Sequence, residues 1–279
     1  MLSADFTIPS TTVTALGMST LICFGGMIVY LIMMFHRVTF RQILVGLIIN
    51  VVMVLFLESS LHTVFLAEDS VIANSVIYYM LYLAIVSALI EEFSRYVIFR
   101  YSLGKQYSSA DAAIGFALGF CLTEVIMGGI SNLSYYSLAS YLNTNGLETM
   151  LEEAAEEAEA VEEQLQAIYD AGALNYILSG FNRVFYVARE AALSVITWYA
   201  ATRSDQLRLL PAAIGLHILV RLPDCFYQAG GEIPLLAEEL LSYALTVGLC
   251  ALAIYIYKKL EEPVFHFKID TLRPRRHQR

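Results

Sequence analysis

Seven stretches of about 20 mostly apolar residues dominate this sequence, each long enough to cross a bilayer as a helix. They lie near 13–36, 42–66, 75–99, 111–131, 178–202, 209–228 and 235–257. Hydrocarbon offers no partner to a backbone N–H or C=O, so chains of this kind span it as helices. The placement of Lys and Arg tests the count. Arg37 and Arg41, Arg100 and Lys105, and Arg203 and Arg208 sit in three of the connecting loops. Lys258, Lys259, Lys268, Arg273, Arg275, Arg276 and Arg279 follow the last span. The loops at 1–12, 67–74, 132–177 and 229–234 contain neither residue type. With seven spans the two sets of loops fall on opposite sides of the membrane. The positive-inside rule then puts the N-terminus outside and the C-terminus in the cytoplasm. The expected fold is all-α: a polytopic membrane helical bundle of about seven transmembrane helices over 1–260, with a basic cytoplasmic tail over 261–279.

Composition agrees. Hydrophobic residues make up 58% of the 279 positions and charged residues 15%, against about 25% charged in soluble domains. The N-terminal MLSADFTIPSTTV has no basic region and contains Asp5, so it does not read as a cleaved signal peptide. Cys23, Cys121, Cys225 and Cys250 stand singly in apolar stretches. They indicate neither a disulfide framework nor a zinc ribbon. No nucleic-acid signature is present, and the basic tail reads as a lipid-facing anchor.

The long loop at 132–177 is expected to form an extracytoplasmic cap. Leu147, Leu151, Ala154, Ala158, Val161, Leu165 and Ile168 recur at helical spacing. Glu152, Glu153, Glu156, Glu159 and Glu163 occupy the other face, giving an amphipathic acidic helix over the bundle mouth.

The spans are not purely apolar. The third carries Glu91, Glu92 and Arg95; the fourth Glu124; the fifth Arg183, Arg189 and Glu190; the sixth His217, Arg221 and Asp224. Glu58 and His62 form a looser pair in the second. Each such charge costs roughly 2.5–3.5 kcal/mol on insertion scales, so a chain that keeps several uses them. At about 1.5 Å rise per residue, Glu124, Glu190 and His217 reach the middle of the bilayer, with Glu91 and Glu92 nearer the cytoplasmic side. Arg95 follows Glu91 by four residues and Glu92 by three, so it can reach either carboxylate. Gly115 and Gly119 form a small-residue stripe that permits close helix approach.

Ion pairs that fix helix register account for part of this set: Glu91–Arg95, Glu190 with Arg183 or Arg189, and Arg221–Asp224. Carboxylates and a histidine in a dry pocket also suit water activation by a general base. They equally suit a divalent metal such as zinc with an open position. A proton-coupled transporter is another reading, although no internal repeat supports it.

These residues also carry a resemblance. EEFSRY, with Glu91, Glu92 and Arg95, resembles the paired-glutamate motif of the PrsW and YhfC intramembrane protease families, relatives of the CAAX-processing and bacteriocin-processing membrane proteases. GFALGFCLTE, ending on Glu124, resembles the glycine-rich helix that follows. Next those families place an Arg with a His seven residues on; here Arg183 is followed by Glu190. Their last motif is a His with Asp or Asn four residues on; here His217 is followed by Arg221. The likeness covers about 75–227, in order on successive spans.

The resemblance implies an intramembrane protease of a prokaryotic plasma membrane, cutting a membrane protein or peptide substrate in or beside the bilayer. It implies Glu91 as the water-activating base and Glu92 as its support. Glu124 and His217 complete the catalytic set, and Glu124, Glu190 and His217 become the implied metal ligands, with Arg95, Arg183 and Arg221 around them. The two departures, Glu190 and Arg221, are expected to pair across helices. That pairing leaves a catalytically degenerate relative, acting as a membrane binding or scaffold protein, as the other reading.

Overall fold

The computed structural model describes residues 2–3, 5–67 and 70–261, the last by its backbone alone. The expected basic tail lies, from 262 on, outside the described residues. Nine α-helices form among the described residues: α1 Ser10–Met34, α2 Phe40–Ile49, α3 Ser59–Phe65, α4 Val76–Tyr101, α5 Asp111–Asn145, α6 Leu147–Ala154, α7 Ala158–Thr202, α8 Leu209–Gln228 and α9 Leu235–Glu261. No strand is present among them. A π-helical segment, Asn50–Glu58, joins α2 to α3, so Phe40–Phe65 runs as one span. The protein is an all-α polytopic membrane bundle.

Local chemistry sets the helix starts. Gln42 Oε1 accepts the Thr39 N–H at 2.8 Å, satisfying a donor at the start of α2. Ser75 accepts from the Tyr78 N–H at the start of α4. Gly119 lets α5 lie against α2, because a Cβ there would strike the Ile43 carbonyl. This is the close approach that the small-residue stripe implies.

Among the described residues, six helical segments are long and apolar enough to cross a membrane by themselves. The remaining expected span, 178–202, is the C-terminal part of α7 and differs in kind. It carries Arg183, Arg189 and Glu190, and every residue from Ala192 to Ala201 is buried. It packs against α1, α4, α5, α8 and α9. Its neighbours are protein rather than lipid, so it needs less hydrophobicity and can hold charges where they find partners. Around it, Leu21, Ile32, Phe56, Phe93 and Val247 face outward as the apolar surface a bilayer covers.

The long loop departs from the expected single helix. α5 continues to Asn145, about 50 Å in all at 1.5 Å per residue, well beyond the roughly 30 Å hydrocarbon core. The following helix breaks at Ala155, which has φ 48°. It breaks again inside α7 at Gly172, φ 70° and ψ 172°, a conformation open to glycine because it has no Cβ. The two breaks fold the apolar face back onto α5. Leu147, Met150, Leu165 and Ile168 pack with Leu142, Leu16 and Ile8. Each such side chain contributes about 1.5–3 kcal/mol where it is taken from water.

Candidate active site

Three helices bring their charges together. α4 presents Glu91, Glu92 and Arg95 on adjacent turns; α7 supplies Glu190, and α8 supplies His217. All five side chains are at most 2% exposed. Arg95 is the hub. Its Nη2 donates to Glu91 Oε2 at 2.7 Å and also to Glu190 Oε2, while Nη1 donates to Glu92 Oε1. Its guanidinium lies 4.7 Å from the Phe120 ring centroid, a favourable seat for a delocalised cation. The planar fork answers three carboxylates at once, which a lysine ammonium could not do with the same geometry.

Glu92 serves a second purpose. Its Oε1 lies 2.9 Å from His217 Nδ1, and its Oε2 accepts from Thr197 Oγ1. The carboxylate accepts from Nδ1–H and so orients the ring, with Nε2 turned to the rest of the cluster. Nε2 is buried and has no hydrogen-bond partner among the described residues. It stands 4.0 Å from Glu91 Oε2. One donor atom each from Glu91, Glu190 and His217 lie within 4.8 Å of one another.

The donors therefore fit a divalent cation. Two carboxylates and a neutral imidazole are ordinary ligands for zinc, and the carboxylate behind His217 is the usual support of a metal-bound histidine. Glu91, Glu92 and Glu190 bring three negative charges when ionised. Arg95 and Arg221 return two, and Arg189 is divided between Glu190 and Asp224. A cation bound there would share Glu91 and Glu190 with Arg95.

The structure separates Glu124 from this group. Glu124 pairs with Arg183 at 2.7 Å, and the two side chains are 45% and 32% exposed. Gly128 makes room for the pair, since a Cβ there would meet Arg183 Nε at 2.6 Å. Glu91 takes the place that Glu124 held in the expected metal trio. Depth alone put Glu124 level with the others; the rotation of α5 turns it to another face. Arg183 does not reach Glu190, because seven residues advance about 10 Å along a helix. Arg221 and Glu190 do not form the expected ion pair among the described residues. Arg221 Nη1 instead donates to Glu91 Oε1 at 3.5 Å, while Arg95 and Arg189 hold Glu190. Asp224 goes to Arg189 at 3.0 Å rather than to Arg221.

Three residues are absent from the expected set. Thr197 orients Glu92, and no sequence signal marks one threonine in an apolar helix. Glu238 and Glu239, each 4% exposed, line a cavity of about 290 Å³ with Asn182, Tyr186, Arg189 and Asp224. These adjacent acids in LLAEELL were open to the same insertion-cost argument as the others. Through Arg189 this polar cavity abuts the buried cluster.

The model of the YhfC intramembrane metalloprotease family matches residues 18–241. The uncharacterized membrane protein YhfC of Bacillus subtilis (strain 168) is 23% identical over 199 residues, spanning 70% of this chain and 76% of that protein. No solved structure matches the chain. The family match runs from α1 into α9 and includes every residue of the buried cluster, so the chain belongs to the YhfC intramembrane metalloprotease family.

Proposed function

We propose that the protein is an intramembrane metallopeptidase that hydrolyses a peptide bond of a membrane protein or peptide in or beside the bilayer. The observation that carries this reading is the Glu92–His217 contact, which leaves imidazole Nε2 without a hydrogen-bond partner among the described residues, facing Glu91 and Glu190 in a buried site. His217, Glu190 and Glu91 would hold a divalent ion such as zinc. When bound, such an ion supplies Lewis acidity and a nucleophilic water at neutral pH.

The chain's own groups do the rest. Glu92 and Thr197 keep the imidazole oriented. Glu91 Oε1 lies on the Arg221 side of the site, where it accepts a proton from the attacking water. The same carboxyl then passes that proton to the leaving amine. Arg221, partly exposed, donates toward the negative charge that develops on the substrate carbonyl oxygen. Arg95 fixes the carboxylates, and the cavity beside Arg189 admits water. Glu124 and Arg183 lie on a separate face and support the bundle there. The orientation follows the charge-sorted loops, with the C-terminus cytoplasmic.

The test uses full-length protein in lipid nanodiscs, a fluorophore-quenched casein as probe, and elemental analysis of bound metal. Wild type is expected to hold about one zinc and cleave, and Glu91→Gln to lose at least about 100-fold in rate, the scale of general acid–base catalysis. Unchanged zinc content and cleavage in His217→Ala would overturn the assignment.

A further inference from the structure

The buried cluster has a neighbour that the site above does not use. Glu58 ends the π-helical segment and is 5% exposed, although Leu55, Phe56 and Leu57 before it all face outward. Each π turn holds more residues than an α turn, so the helix face rotates across the segment and Glu58 turns inward. There its Oε1 accepts from Ser87 Oγ on α4, and His62 Nε2 stands 3.4 Å from the same oxygen. Oε2, the other oxygen, is buried with no partner among the described residues.

Arg221 shows the complementary defect. Its Nη1 donates to Glu91, but its Nε–H is buried with no partner among the described residues. The two groups dock on one face of α4. Ser87, which holds Glu58, and Glu91, which holds Arg221, are four residues apart, so their side chains stack about 5–6 Å from each other. Each charge lies within the electrostatic reach of the other. A buried carboxylate oxygen and a buried guanidinium N–H left open at this spacing each cost free energy, and a pair between them removes both costs.

We infer that Glu58 is a positioning residue: its free oxygen and the Arg221 Nε–H satisfy one another through a bridging water, holding Arg221 over Glu91. The inference rests on the hydrolytic reading of the cluster for its consequence, but not for the pairing itself. It extends the site from three spans to four and gives the π segment a purpose. Arg221 Nη1 then approaches Glu91 from a fixed direction, so that losing Glu58 affects turnover more than substrate capture.

Two measurements separate the pairing from the chemistry. The first is a double-mutant cycle of Glu58→Gln, Arg221→Gln and the double variant, read by SDS-induced unfolding in mixed micelles. The changes in unfolding constant are expected to be non-additive by at least about threefold, as for groups in direct or water-bridged contact. Additive changes would overturn the pairing whether or not the protein is a protease. The second is cleavage of the quenched casein in nanodiscs. Glu58→Gln is expected to lower kcat about tenfold with KM within twofold, and Glu58→Asp, which keeps the charge, to restore most of the loss. An unchanged kcat in Glu58→Gln, or no recovery in Glu58→Asp, would overturn the positioning role. Should Glu58→Gln not fold, Glu58→Asp and Ser87→Ala replace it in the cycle with the same criterion. Should wild type fail to cleave while the cycle is non-additive, the hydrolytic reading falls and the pairing stands.

Discussion

Arg95→Met is the most demanding test of the buried cluster. Methionine keeps the bulk of the side chain and removes the one guanidinium that answers Glu91, Glu92 and Glu190. Hydrogen bonds to charged groups contribute about 1.5–3 kcal/mol each, so three taken separately would give roughly 5–9 kcal/mol. That sum is an upper bound, because the carboxylates can take up protons or lean on Arg189 and Arg221. Removing one partner of a buried pair costs about 3–5 kcal/mol in practice, and that is the expected loss. The assay is SDS-induced unfolding in mixed micelles, comparing wild type, Arg95→Met and Arg95→Met/Glu190→Gln. The double variant is expected to recover at least about 1 kcal/mol, since it removes one of the stranded charges. A loss under about 1 kcal/mol in Arg95→Met would refute the hub, because no fully buried guanidinium between three carboxylates could be so dispensable.

Two further outcomes follow from the same contacts. Glu92→Gln removes the carboxylate that orients His217, so zinc affinity, measured by chelator competition, is expected to fall about 10–100-fold; an unchanged affinity would separate the histidine from the metal. Glu124→Gln breaks a pair whose side chains are 45% and 32% exposed. It is expected to cost at most about 1 kcal/mol and to leave casein cleavage within threefold; loss of cleavage would return Glu124 to the site.

The sequence by itself determined the helices and the membrane. Twenty-residue apolar stretches admit little else in hydrocarbon, and the cost of burying charge singled out Glu91, Glu92, Arg95, Glu124, Arg183, Arg189, Glu190, His217, Arg221 and Asp224 together, without separating those that meet. The spacing of Arg95 from the two glutamates on one helix put either carboxylate within its reach, because i,i+3 and i,i+4 neighbours share a face; only the structure shows that it holds both. Partners on different helices were another matter. Span order and rise per residue give depth, but not the rotation of one helix against the next. Glu124 was therefore level with the cluster yet on another face, Arg221 went to Glu91 rather than Glu190, and Asp224 went to Arg189. Glu58 shows the limit most clearly. A strict α-helix would have set it by the period of its neighbours, and only the π segment, with α4 packed against it, turns that carboxylate in toward Ser87. Local periodicity is written in a single chain; helix rotation is decided by the packing of all the helices at once.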